Sequence, residues 1–204
     1  MKPLFLIGVA ACLLASGCDS KNPLSDPQTS KADERLAGVW LNRGGDGDVY
    51  YHAGHAGDKF PACMMRVVGI KHSKGNVEPA GEFLIFPTIL EDKTYLNVVI
   101  GRDDKLVKSL DEKGWKAAAV DNYTLYRYEF EGDNLLIYGI DEEAKRKAIK
   151  SGKIAGTVEK NSAKFTDTSE NVARLVKDAG DGLWTKEPGR LERMNMGKKP
   201  CNAN

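Results

Sequence analysis

Between Thr124 and Ile140 the chain spells out a β-hairpin. Thr124, Tyr126, Tyr128 and Phe130 alternate with Leu125, Arg127 and Glu129, the two-residue period of a strand buried on one face. Glu131-Gly132-Asp133-Asn134 supplies turn chemistry, and Leu135 to Ile140 returns as the partner. An alternation of this kind does not gather onto one side of a helix. The chain must therefore build a sheet, and other strands must cover the aromatic row.

Those strands are legible upstream. Leu36 to Leu41, Val49 to His52, Cys63 to Ile70, Phe83 to Phe86 and Tyr95 to Ile100 are short apolar runs. Arg43 to Asp48, Ser73 to Asn76 and Pro87 punctuate them, and Asn97 alone interrupts the last. Downstream, Asp141 is placed to cap a helix over Glu142 to Lys150. Asp167 with Glu170 resembles a capping box opening a second helix, Thr168 to Ala179. Val172, Leu175, Val176 and Ala179 give that helix one buried face. Gly156 to Glu159 and Ala163 to Phe165 are short strands between the helices. The expected class is α+β, mainly β: an antiparallel meander or partial barrel with two short C-terminal helices.

The balance of 30 basic and 29 acidic residues gives a net charge of +1. Nothing in that balance suggests a nucleic-acid binder, which would call for a basic excess clustered on one face. The first residues are different in kind. Lys2 precedes an apolar run from Leu4 to Leu14, which ends in Ala15-Ser16-Gly17-Cys18. The run is too short to cross a bilayer, which takes about 20 residues. This arrangement resembles the lipobox signal peptide of bacterial lipoproteins. The resemblance implies removal of residues 1–17, acylation of Cys18 and a membrane anchor in the cell envelope facing the periplasm. By the same resemblance Asp19 looks like an inner-membrane retention signal, and the choice of inner or outer membrane stays open. Residues 18–33, polar and with two prolines, are expected to form a flexible tether; residues 34–204 are expected to form one globular domain.

Four cysteines are present. Cys12 falls in the signal and Cys18 is the acylation site. Cys63 and Cys201 remain as a disulfide pair in an oxidising compartment, although Cys63 beside Met64 and Met65 also reads as a buried free thiol.

Gly38-Val39-Trp40 resembles the G-x-W signature of lipocalins and related barrels. That implies a tryptophan closing one barrel end and an interior able to hold an apolar ligand. The polar stretch Arg102 to Lys116 has no obvious place in such a barrel. Trp40, Tyr126 and Tyr128 are expected to line a ligand or fill the core. His52, His55 and Cys63 lack the partners of a zinc site and read as a loop after a strand. Gly44 to Val49 lacks the oxygen ligands of a calcium loop. Gly152 to Gly156 follows a helix, the wrong order for phosphate binding. No nucleophile elbow or nucleotide fingerprint occurs. The order of hairpin, helix, Gly152 to Gly156 and capped second helix resembles that of envelope lipoproteins without an assigned activity.

The sequence is therefore read as a lipid-anchored, non-enzymatic envelope protein with no metal or cofactor. It is expected to bind a protein or another envelope component. The alternative is a lipocalin-like carrier or sensor of a small apolar ligand.

Overall fold

The computed structural model describes residues 19–99, 105–115, 120–160 and 162–194. Its centre is a closed, antiparallel, eight-stranded barrel. Seven consecutive strands form a meander: β1 (Gly38–Asn42), β2 (Asp48–His55), β3 (Met65–Ser73), β4 (Asn76–Leu90), β5 (Lys93–Val99), β6 (Tyr123–Glu131) and β7 (Asn134–Gly139). After a long excursion β10 (Gly189–Arg193) returns between β7 and β1. Leu191 pairs with Leu135, and Trp40 pairs with Arg193. The sheet thus closes completely and leaves no barrel edge free.

Alternation along the strands divides the apolar residues between two cores. Trp40, Tyr51, Val67, Ile85, Leu96, Val98, Tyr126, Tyr128, Ile137 and Leu191 point into the lumen. Leu84, Phe86, Tyr95, Val99, Tyr123 and Leu125 point outward from β4, β5 and β6. The excursion supplies their cover: α2 (Glu142–Lys150), β8 (Gly156–Val158), β9 (Ala163–Phe165), α3 (Ser169–Ala179) and a 3-10 turn over Gly180–Leu183. Asp141 caps α2 as expected, its carboxylate accepting from the Ala144 N–H at 2.8 Å. Thr168, rather than Asp167, caps α3. The Asp167 carboxylate instead accepts from the Ala155 and Thr168 N–H groups and from Asn171.

Three expectations need correction here. The strand expected to stop at Pro87 is the longest among the described residues and runs through both Pro79 and Pro87. Pro79 lies at a register shift opposite Ile70, and β3 has no pairing beyond Ile85, so neither proline interrupts a continuous two-sided ladder. β2 continues past His52 to His55, because Val67, Arg66 and Met65 of β3 pair with Ala53, Gly54 and His55. The polar stretch without an obvious place carries α1 (Lys105–Lys113). Val107 and Leu110 of α1 are buried, and Asp111 holds Arg66 of β3 from outside the barrel.

The largest correction concerns residues 19–33, expected to be a free tether. They lie along the outer wall as a strap. Leu24 and Pro27 are buried, the Ser25 hydroxyl meets that of Thr88 at 2.5 Å, and the Leu24 N–H donates to Asn97 Oδ1 at 2.7 Å. A polar composition permits this docking because the wall beneath is itself partly polar. Asn97 is fully buried on the outer face of β5 and also donates to Thr88 Oγ1 and to the Phe86 carbonyl. Asn97→Ala leaves the Leu24 N–H buried without its acceptor. A loss of about 1–3 kcal/mol in urea denaturation is expected, together with faster amide exchange at Leu24.

Candidate functional site

The barrel encloses an apolar lumen. Leu36, Tyr51, Phe83, Leu96, Tyr126 and Leu191 are among its lining residues, all apolar or aromatic. The space left between them is about 60 Å³, far below the roughly 300–1,000 Å³ of ordinary ligand pockets. Trp40 and Tyr126 stand at its wall, and Tyr128 packs within the same core. Tyr51 points its hydroxyl at Asn42, while burial raises its pKa.

One end is sealed. A 3-10 turn, Glu34–Leu36, precedes β1 and carries Leu36 into the lumen core. Trp40 Nε1 donates to the Leu36 carbonyl at 2.8 Å. The Arg193 guanidinium lies 4.3 Å above the indole ring and donates to the Ala37 and Arg35 carbonyls. Arg35 stacks 4.5 Å over Phe130 and forks onto Asp33. Asp33 in turn accepts from the Tyr128 hydroxyl at 2.9 Å. Burial pushes the Asp33 carboxyl up, but the Arg35 and Tyr128 hydrogen bonds outweigh it and hold the pKa below its ordinary value.

The second arrangement joins the strap to the helices. Asp19 is buried, and its backbone is bonded on both sides. Its N–H donates to the Tyr123 carbonyl at 2.9 Å, and its own carbonyl accepts from the Phe165 N–H at 2.8 Å. One carboxylate oxygen takes the Lys145 ammonium at 2.6 Å, and the other accepts from the Leu125 N–H at 3.2 Å. Lys145 is also buried and reaches Glu142 at 2.8 Å. Burial lifts the Asp19 carboxyl above its ordinary value, with Lys145 opposing. Burial works against the Lys145 cation, yet Asp19 and Glu142 overcome it and raise its pKa.

A lysine pKa raised on folding contributes stability that is intact below the ordinary value of 10.5 and is lost as pH climbs through the folded-state value. The raised Asp19 pKa does not make protonation in mild acid a cause of strap release. Above about pH 10.5 the urea midpoint of the parent is therefore expected to fall more steeply than that of Lys145→Met.

The remaining candidates scatter. Cys63 is a buried free thiol whose Sγ donates to the Pro27 carbonyl at 3.1 Å, and burial raises its pKa. Its expected partner Cys201, like Cys18, lies outside the described residues. His52 and His55 sit on β2, and the Cys63 thiol lies beneath the strap. Among the described residues no three His, Cys, Asp or Glu side chains gather as a metal site. The outer face of β1–β3 bears a shallow groove of about 230 Å³ lined by Val39, Tyr50, His52, Ile70, His72 and Met194. Val68 and Val77 of β3 and β4 are exposed, and the Tyr50 and His72 rings lie 4.9 Å apart.

Neither Asp19–Lys145 nor the groove emerged as a site from sequence. Lys145 looks like any solvated lysine of an amphipathic helix, and Asp19 like part of a linker. The one visible sign of strap docking was Asn97, a carboxamide inside an apolar strand.

These features define a closed-barrel protein with a side-chain-filled lumen, a helical jacket on one wall and an N-terminal strap. No family model matches the chain, and no curated protein or solved structure matches it.

Proposed function

We propose that the protein is a lipid-anchored, non-enzymatic binding protein of the cell envelope, held through Cys18 and presenting the outer face of β1–β3 to a protein partner. The observation that carries this reading is where apolar surface remains. The lumen is occupied by its own side chains, whereas the groove at Tyr50 and Ile70 is open to solvent. A partner that inserts an aliphatic or aromatic side chain there, flanked by acceptors for His52 and His72, matches its chemistry. The anchor reading rests on the pattern from Lys2 to Cys18.

A photoreactive residue at Val68 in intact membranes tests the face. A discrete protein adduct is expected, absent from a probe at Asp178 on α3 and lost with Ile70→Asp. Equal adducts from both positions, or none from Val68, defeat this reading. Incorporation of labelled fatty acid that persists in Cys18→Ser defeats the anchor.

The largely apolar lining of the lumen favours a second reading, a carrier of small apolar molecules. Carriage requires the lining side chains to move aside. Native mass spectrometry of protein taken from its host decides it, since a carried lipid appears as a discrete added mass.

A further inference from the structure

We infer that the surface formed by α2 and the β8–β9 hairpin is the membrane-facing side of the protein, lying directly on anionic phospholipid headgroups. The inference rests on the proposed anchor at Cys18 and adds to it an orientation.

Two independent observations meet at this surface. The first is where the chain enters the fold. Ser20 pairs with Phe165 in parallel and with Tyr123 in antiparallel sense. The strap therefore runs alongside β9 and comes in from the side of the β8–β9 turn. Asp19 is fixed by two backbone hydrogen bonds and a buried ion pair. The residue before it has its Cα only about 3.8 Å away. A lipid carried there has no slack, so the surface around the point of entry must meet the bilayer.

The second observation is charge. Residues 142–165 contain seven lysines and arginines against three acids, in a protein with a net charge of +1 overall. Lys145 is spent on Asp19, Arg146 bonds Glu142 and the Glu159 carbonyl, and Lys164 bonds Asp121 and Asn122. Lys147, Lys150, Lys153 and Lys160 are exposed and have no carboxylate partner among the described residues. Solvated lysine ammoniums at a bilayer surface are drawn to phosphate-bearing lipids within a Debye length. Lys147 and Lys150 lie on the exposed side of α2, whose buried Lys145 holds Asp19, and Lys153 and Lys160 are exposed in the chain that follows it.

The test uses the full chain, processed in its host and reconstituted in phosphatidylglycerol or phosphatidylcholine vesicles. Hydrogen exchange is read by peptide, and the mass of the N-terminal peptide reports the lipid. On phosphatidylglycerol, exchange in residues 142–165 is expected to slow by about fivefold or more, with β2 and β3 unchanged. The triple variant Lys147→Glu, Lys150→Glu, Lys160→Glu is expected to keep the lipid mass and lose the slowing. A Gly-Ser linker inserted after Cys18 restores slack, and the slowing is expected to fall although the anchor remains. Lipid present with residues 142–165 unaffected, or protection on β2–β3 instead, overturns the orientation and leaves the anchor standing. Protein lacking the lipid that still binds phosphatidylglycerol through residues 142–165 sinks the anchor and supports the surface.

Discussion

Lys145→Ala is expected to lower the unfolding free energy by about 3–5 kcal/mol, the cost of leaving a buried charge without its partner. Both side chains of the Asp19–Lys145 pair are 3% exposed, so water does not replace the lost ammonium. Urea denaturation measures the loss, and exchange at Asp19 to Lys21 shows whether the strap leaves before the barrel opens. The pair itself contributes far less than its removal costs, because burying two ions is expensive even when they meet well. The double variant Asp19→Leu, Lys145→Met is accordingly expected to recover most of the stability lost in Lys145→Ala. A double variant as weak as the single would mean that this site needs its charges rather than its packing. Asp19 would then depend on its ionic contact with Lys145 to stay docked.

The hairpin β6–β7 was legible because its apolar period is strict and its turn is local. α2 was legible because Asp141 and the charges of its first and last turns act within one short segment. Closure of the barrel was not. β10 reads Gly-Arg-Leu-Glu-Arg, with Leu191 its one apolar residue, and its partners β1 and β7 lie far off in sequence. The same holds for the strap: Leu24 finds Asn97 and Asp19 finds Lys145 only once the barrel exists. Polar composition marks a segment that does not bury much apolar surface. It does not mark one that lacks hydrogen-bond partners elsewhere in the chain. Trp40 is buried against the Leu36 carbonyl and Arg193, yet nothing around it in the sequence foretold that the lumen would be so nearly full.

That filled lumen makes a second large effect measurable. Trp40→Ala is expected to cost about 3–5 kcal/mol, because the indole is 2% exposed and several partners close around it. Its loss frees the Leu36 carbonyl from Nε1, leaves Arg193 without a ring to cover and removes the neighbour 6.1 Å from Phe130. The space vacated joins the existing 60 Å³ and produces an apolar cavity of indole shape. Apolar cavities of this kind stay dry and take small aromatic guests. Free indole is therefore expected to raise the melting temperature of Trp40→Ala in a concentration-dependent way and to leave that of the parent protein unchanged. Rescue confined to the variant supports a lumen normally occupied by its own side chains. A parent protein stabilised by indole to the same degree would show instead that the lumen opens to guests as it stands, and would move the balance towards the carrier reading.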